Sequence, residues 1–441
     1  MNKNKKILTL ALFFSLISAN YALGAEIPTD AGGNASANGA GNYTLTPATI
    51  TTVSVNNGAI VDTAGALTIK GKTNAYALIA QRGAVANVNG NLTANFGAGT
   101  SGGYSGILAV YGGKINLNGK ENLITSNSTL DKNTKAAVQA LQPDSVITVS
   151  GDVTKFRDSG WFVGANRAIT AGDGGKFVFS NGKAGAESSL VDIVANSNSK
   201  RNIMATNNFS SVGDKDTDPA KHKYAGDSKF IDPINSQIIM DRVQIENAGN
   251  TRAMFTQGNG SLISILSATI NKTSQYAGSA FEATVGGKIE VRGYEGGTLD
   301  VAISGGPESA LRAQGGSIVV NSSQSSTFKT NFLAKADGEI GIASGTLGAA
   351  IDNGAGGKDI VDTNVIYKGP GNVGQYGSKY ANSDITVNGA INLDVTADKA
   401  IGLRVMGDGS KISLLAVPGK RKVALQPNPQ LFVFPMPTAI A

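Results

Sequence analysis

One phrase of amino acids recurs along the chain, and it constrains the fold more than any other feature. Each copy contains small residues with Ala, a Gly-rich turn, Lys or Ser, and an alternating apolar segment that ends in Gly or Asn. The copies occupy residues 75–90, 106–119, 136–151, 167–179, 252–264, 279–293, 309–321, 332–342 and 400–414. The residues that directly follow the turn are Lys114, Lys176, Ser261, Lys288, Ser317, Glu339 and Lys411. Their spacing gives units of 22 residues (339 − 317) to 31 residues (half of 176 − 114).

A repeat of this length with glycine turns is typical of a solenoid. Each unit offers two or three short strands with apolar residues at alternate positions, and only stacking of the units can bury that apolar side. The glycines supply the corners, because glycine accepts a positive φ. We therefore predict an all-β fold, a right-handed parallel β-helix (β-solenoid), over residues 51–416. A propeller is the alternative, but it would need a steadier repeat and four strands per blade.

Three segments lie outside this pattern. Residues 25–50 are predicted to be an N-terminal cap or linker. Residues 196–241 are charged and irregular, which indicates an insertion that projects from the coil or forms a long loop. The last segment, 417–441, is rich in proline, which cannot donate a ladder hydrogen bond, so we expect the solenoid to end before it.

The N-terminus indicates export. Lys3, Lys5 and Lys6 precede a short apolar run over 7–17, and Ala22-Leu-Gly24 has the small-x-small pattern of a cleavage site. Residues 1–24 are therefore predicted to be a secretory signal peptide, since the apolar run is too short to span a bilayer. The chain has no cysteine, which is compatible with export and excludes cysteine-ligated metals.

Charge and composition narrow the class of partner. The net charge is +6, and removal of the three lysines of the signal peptide leaves 6 − 3 = +3 on the mature chain. Such a weak excess does not favour nucleic acid as a partner. Gly accounts for 57 of 441 residues and aromatics for only 6%, whereas 41% of the residues are hydrophobic, which favours a packed β-structure over disorder.

The phrases resemble the passenger repeats of bacterial autotransporters, in which a small-Ala-x-x-Ala segment precedes Gly-Gly-Lys/Ser-Ile and an alternating strand. The resemblance covers residues 51–415 and implies export to the cell surface or outer membrane, or release into the medium. It also implies a role in adhesion or surface display, with glycans or proteins of a host or neighbouring cell as partners. Members of this family continue into a translocator barrel, which is not encoded in this chain. We expect a truncated gene, a separately encoded outer-membrane translocator or a stand-alone secreted solenoid.

Two glycine motifs are better explained as turns than as catalytic loops. Residues 97–102 match G-x-G-x-x-G, but a nucleotide site needs a helix next, and residues 104–111 are predicted to be a strand. The same glycines surround Ser101 in a G-x-S-x-G pattern. A nucleophile elbow would need a histidine base, and the only histidine, His222, lies in the irregular segment.

Metal binding is not favoured either. Asp214-Lys-Asp-Thr-Asp218 begins like a calcium loop, but Pro219 and Ala225 stand where glycine and glutamate belong. We predict a solvated charged loop there, with a weak calcium site as the alternative. No metal, cofactor or catalytic residue is assigned.

The competing function is a carbohydrate-active β-helix enzyme, a polysaccharide lyase or glycosidase. Such an enzyme needs carboxylates at a set separation. The acidic residues of the clear repeats occupy differing repeat positions, so no pair is nominated, and the chain is predicted not to be an enzyme; these residues include Asp144, Glu282, Glu290 and Asp337. Trp161, the single tryptophan, could stack on a sugar but is expected to cap the coil.

Overall fold

The computed structural model describes residues 24–415, except for 18 short stretches. These are residues 47–48, 72–75, 97–105, 127–135, 159–167, 196–200, 208–234, 248–251, 259, 274–278, 285, 305–308, 335–339, 345–349, 353–357, 361–382, 396–400 and 406–409. The described residues form strands almost throughout, with one 3-10 turn, Gly185–Glu187. Within them, no helix is long and apolar enough to span a membrane.

Three parallel sheets run the length of the molecule, and the chain visits them in the order sheet 1, sheet 2, sheet 3 within each coil. Sheet 1 contains the 12 strands Asn34–Asn38, Thr52–Asn56, Leu78–Gln81, Ile107–Val110, Val138–Leu141, Ile169–Gly172, Arg201–Thr206, Arg252–Gln257, Ser279–Thr284, Ser309–Gln314, Ile340–Ser344 and Ile401–Val405. Sheet 2 contains the 13 strands Ala25–Glu26, Gly41–Leu45, Ala59–Thr63, Val85–Val88, Lys114–Leu117, Val146–Val149, Lys176–Phe179, Gln237–Met240, Leu262–Ile265, Lys288–Val291, Ser317–Val320, Asp384–Asn388 and Lys411–Leu415.

Sheet 3 contains the 11 strands Thr49–Ile50, Leu67–Ile69, Leu92–Phe96, Glu121–Ser126, Val153–Asp158, Leu190–Ala195, Arg242–Asn247, Ser267–Lys272, Thr298–Ile303, Lys329–Ala334 and Ala390–Val395. A separate antiparallel pair joins Ala350–Asp352 and Lys358–Ile360. Each strand of the three sheets pairs in parallel with its equivalent in the next coil, which is the architecture of a parallel β-helix. The predicted fold class is therefore confirmed.

The core is made of rows of identical or similar side chains, one from each coil. In sheet 2 an inward row aligns Ile115, Ile147, Phe177, Ile238, Ile263, Ile289, Ile318 and Ile385, all fully buried. In sheet 1 an inward row is almost entirely alanine, from Ala80 to Ala205. Alternate side chains point inward because a strand has a side-chain period of two. Stacking thus buries apolar surface that one coil alone would leave in water.

The two glycines of the Gly-Gly turn are needed for different physical reasons. At the corner from sheet 1 to sheet 2, the first glycine has a positive φ, for example 76° at Gly112. The second glycine approaches the previous coil closely: a Cβ on Gly113 would lie 2.0 Å from the carbonyl oxygen of Ala80, and one on Gly175 would lie 2.2 Å from that of Ala140. In these coils the corner therefore needs both the left-handed angle and the missing side chain.

Serine replaces the second glycine in several coils and adds a hydrogen bond. The backbone N–H of Gly112 donates to Ser145 Oγ at 3.0 Å, and that of Gly174 donates to Ser236 Oγ at 2.9 Å. The small side chain still fits the corner, and its hydroxyl satisfies an amide of the preceding turn. This explains why the phrase tolerates Gly or Ser but nothing larger at this point.

The boundaries predicted for the segments outside the repeat need correction. Residues 25–50 do not form a separate cap or linker, because Asn34–Asn38, Gly41–Leu45 and Thr49–Ile50 form one strand of each sheet. Asn, Ser, Thr and Tyr in these strands conceal the period-two pattern. The predicted insertion 196–241 is also too long, since Arg201–Thr206 and Gln237–Met240 are strands of the coil.

The shortest predicted repeat copy, 332–342, was misaligned. Phe332 lies in sheet 3 opposite Val301, and Ile340–Ser344 lies in sheet 1. The residue equivalent to Ser317 is consequently Asp384, not Glu339, and the coil between them spans 67 residues (384 − 317). At Ser261 the error is one residue, because Leu262 pairs with Lys288. Stacking tolerates long excursions at a corner, so spacing in the sequence does not count coils reliably.

Candidate functional site

Several of the residues singled out in the sequence lie outside the described part of the chain. They are the glycine motif 97–102 with Ser101, the charged stretch 214–218 with His222, Trp161, Asp337, and the segments 1–23 and 417–441. The candidate site is therefore built from the outward faces of the three sheets.

The remaining predicted carboxylates lie on different faces. Asp144 is in a corner turn, with a φ of 63°. Glu282 is on sheet 1, and Glu290 is on the outward face of sheet 2 in the same coil, where its Oε2 accepts a hydrogen bond from Ser264 Oγ at 3.2 Å. The structure does not bring these three carboxylates together as a catalytic pair.

Sheet 1 carries one buried ion pair that the sequence analysis missed. Arg252 Nε donates to Glu282 Oε2 at 2.6 Å, and the Glu282 side chain is only 1% exposed. The Arg252 guanidinium also lies 4.9 Å from the centre of the Phe255 ring, which is within the range of a cation–π contact. The strand register places Phe255 beside Glu282 on adjacent coils. An alignment of the repeat copies 252–264 and 279–293 in the sequence could have indicated this proximity.

Two further arginine ion pairs lie in the middle and in the later part of the solenoid. Arg157 pairs with Asp192 between adjacent strands of sheet 3, and Arg292 lies 3.6 Å from Asp241. These arginines also donate to backbone carbonyl oxygens, for example Arg292 to that of Met240 at 2.6 Å. The Arg157 guanidinium thus fastens adjacent coils, and that of Arg292 reaches two coils back, through both charge and hydrogen bonds.

The early coils instead carry ladders made mainly of amides on the outward face of sheet 2. Asp62, Asn87 and Asn116 occupy the same register position in three successive coils. Asn87 Nδ2 donates to Asp62 Oδ1 at 2.8 Å, and Asn116 Nδ2 donates to Asn87 Oδ1 at 2.7 Å. An amide can donate and accept at once, so the row can continue from coil to coil.

A second ladder runs two residues further along, at the end of the same strands. Asn118 Nδ2 donates to Asn89 Oδ1 at 3.0 Å, and Ser150 Oγ donates to Asn118 Oδ1 at 3.2 Å. All three side chains are exposed to solvent. We define the amide ladders as Asp62, Asn87, Asn116, Asn89, Asn118 and Ser150. They present a flat array of amide and hydroxyl groups along the axis of the solenoid.

Two surface carboxyl groups have shifted acidities. The Lys183 ammonium and the Asn181 amide both donate to Asp152, and the hydrogen bond from Lys183 is the main reason that the pKa of Asp152 lies below its ordinary value. A hydrogen bond from Thr327 is the main cause of the lowered pKa of Glu295. Both groups hold corners of the coil together through these contacts.

No group of three or more histidine or acidic side chains among the described residues is arranged to hold a metal ion. Comparison with known proteins adds no further guide. No protein-family model, no curated protein and no solved structure matches the chain.

Proposed function

We propose that this protein is an exported β-helix displayed at the cell surface, acting as an autotransporter passenger in adhesion or surface display. The observation that carries the proposal is the pair of amide ladders on sheet 2. They offer repeated amide and hydroxyl groups, with one carboxylate at Asp62, on consecutive coils, which suits many weak contacts with a glycan or protein surface.

The rigid coil supports the same proposal. A solenoid of stacked parallel strands holds its outward side chains at a regular spacing of about 4.8 Å, the distance between neighbouring strands. The side chains are thereby preorganised, so little conformational entropy is lost when a partner binds. The signal peptide predicted over residues 1–24 would take the chain out of the cytoplasm.

Two measurements test this proposal. Antibody labelling of intact cells should detect the protein at the surface or in the medium. The purified protein should bind host or neighbouring cells, and a variant that carries Asn87→Ala and Asn116→Ala should bind them more weakly, since two rungs of a ladder are removed. The matched control is Thr148→Ala, in the same row one coil later. Confinement of the protein to the cytoplasm, or its failure to bind any cell, would refute the proposal.

One observation favours the competing enzymatic function. The Glu282 carboxylate is buried beside Arg252 on sheet 1, and glycan cleavage relies on carboxylates. A screen of the purified protein for glycan breakdown tests it. Turnover that disappears in Glu282→Gln would establish an enzyme and displace the adhesion proposal.

A further inference from the structure

One corner of the solenoid carries side chains where glycine would be the less strained choice. The residue that follows each sheet 1 strand is a left-handed residue in five successive coils: Asn57, Arg82, Tyr111, Gln142 and Asp173, with φ of 54°, 56°, 52°, 72° and 48°. The register of sheet 1 makes these five positions equivalent. We call these five residues the corner ridge.

The same turn is built with glycine elsewhere in this molecule. Gly39 occupies the equivalent position in the first coil, with φ of 95°, and Gly258 and Gly315 occupy it in later coils, with φ of 91° and 67°. A left-handed backbone costs little for Gly and only modestly more for Asn, but it is distinctly unfavourable for Arg, Tyr and Gln. The coil therefore does not require side chains at the ridge, and strained residues of this kind cluster at functional sites.

Adjacent turns of the ridge are hydrogen-bonded to each other, and its Asn57, Arg82 and Tyr111 side chains are exposed, whereas Gln142 and Asp173 are half-buried. The N–H of Gly58 donates to the carbonyl oxygen of Arg82 at 3.1 Å, and the N–H of Gly83 donates to that of Tyr111 at 3.2 Å, so adjacent turns are hydrogen-bonded to each other. Tyr111 is 57% exposed, more than the other exposed large hydrophobic residues of the described chain. Among the described residues none forms an ion pair or a hydrogen bond with the Arg82 guanidinium.

The chemistry of the ridge fits a neutral glycan chain. A tyrosine ring stacks on the apolar face of a pyranose, while amides and a guanidinium bond its hydroxyls. Arg82 and Asp173 carry opposite charges, so the five residues of the ridge have no net charge, which disfavours a strongly anionic ligand. Successive rungs lie about 4.8 Å apart, comparable to one sugar unit, so the five rungs span about 19 Å along the axis.

We propose that the corner ridge is a binding site for a neutral polysaccharide that lies parallel to the solenoid axis. Tyr111 stacks on one sugar ring, and Arg82 bonds the hydroxyls of a neighbouring ring. This inference rests on the proposed surface function and names the ligand class of one surface. A proline-rich peptide is the other ligand that an exposed aromatic row could take.

The test uses calorimetry with the full-length protein and four probes: hexasaccharides of β1,4-linked glucose and of N-acetylglucosamine, a uronate hexasaccharide and a proline-rich peptide. We expect a neutral hexasaccharide to bind and Tyr111→Gly to weaken its affinity at least tenfold, with Arg82→Gly weakening it less. Tyr111→Gly should leave Tm unchanged or raise it, because the left-handed strain is relieved. The matched control is Gln324→Gly, which relieves the same strain at an exposed residue on another corner, with φ of 55°.

The inference is overturned if neither neutral hexasaccharide binds, if only the uronate or the peptide binds, or if Tyr111→Gly binds as well as the unmodified protein. It is also overturned if Tyr111→Gly lowers Tm, since the ring would then have a structural role. Cell binding separates this result from the wider proposal. A protein that binds cells but no neutral hexasaccharide retains its adhesive function and loses this site.

Discussion

Two regions of the solenoid share one core and differ in what they show to solvent. The amide region, residues 52–150, fastens its outward rows mainly with amides, as in Asn116 to Asn87. The ion-pair region, residues 237–331, uses charged groups, as in Arg252 with Glu282. The inward row of sheet 2 nevertheless runs through both regions without a break, from Ile115 to Ile318.

The difference separates what the fold needs from what the surface does. Stacking requires an apolar side chain at each inward position and a small residue at each corner, in every coil. The outward positions have no such requirement, so they can vary from coil to coil. The residues that recur in every copy of the phrase are therefore those that the core requires, and the residues that differ between copies belong to the surface.

The largest effect should come from the core and should be equal in the two regions. Ile115→Ala and Ile289→Ala each remove a fully buried side chain from the same row, and each should lower the free energy of unfolding by about 2–5 kcal/mol. Denaturant unfolding of the two variants measures this. A loss in one region that is several times the loss in the other would show that the regions do not share one core.

The corner glycines should distinguish the regions by a smaller margin. Gly113→Ala places a Cβ 2.0 Å from the backbone oxygen of Ala80, whereas Gly287→Ala places it 2.8 Å from Thr256 Oγ1 and 2.9 Å from the Thr256 carbonyl carbon, which is a less severe overlap. We expect Gly113→Ala to cost about 3 kcal/mol of stability and Gly287→Ala about 1 kcal/mol. Equal losses, measured by thermal unfolding, would contradict the close approach seen at Gly113.

The buried ion pair should matter chiefly when one partner is removed. Arg252→Ala leaves the buried Glu282 carboxylate without its charge partner and should cost about 2 kcal/mol, because the 29% exposure of the Arg252 side chain moderates the effect. The double variant Arg252→Met with Glu282→Leu is the control and should recover most of that loss. A double variant as unstable as Arg252→Ala would show that the contact with Phe255, and not the charge, holds this face.

The amide ladder should contribute less than the ion pair. Asn116→Ala removes one hydrogen bond to Asn87 and should cost about 1 kcal/mol. This loss should be insensitive to salt, because the bond joins neutral groups. A strong dependence on ionic strength in the unfolding curves would point to an electrostatic role for the row.

The smallest effect concerns acid stability at the surface. The pKa of Asp152 is lowered in the folded protein, so this carboxylate adds stability above its ordinary value of 3.8 and loses that contribution as the pH falls through its lowered pKa. Lys183→Ala should raise the pKa of Asp152 toward 3.8, which an NMR titration of the carboxyl carbon detects. The stability difference between this variant and the unmodified protein should disappear at lower pH.

The sequence predicted the class of fold well and the coil count poorly. The phrase carries the inward rows and the corner glycines, and these two features specify a parallel stack. The phrase does not show how many residues separate equivalent strands of successive coils. The residue equivalent to Ser317 was therefore placed at Glu339 and not at Asp384. The polar strand Asn34–Asn38 was missed because Ala35 and Ala37 bury little apolar area.

The surface was less predictable, because it depends on which residues become neighbours across coils. Asn87 and Asn116 are 29 residues apart and meet only when the register is known. The same is true of Arg252 and Glu282, which are 30 residues apart. The left-handed angles of the corner ridge left no pattern in the sequence, since Arg82 and Tyr111 are unusual residues for such turns.

We infer that one parallel stack carries both regions, and the distances between residues of one outward row of sheet 2 test this inference. Because the chain has no cysteine, pairs of spin labels can be placed on cysteines introduced at Asp62 with Ser264, and at Asp62 with Val319. The members of these pairs are six and eight coils apart, so we expect distances between the labels of about 29 and about 38 Å, with narrow distributions. Separations that do not increase from the first pair to the second, or two broad distributions, would contradict it.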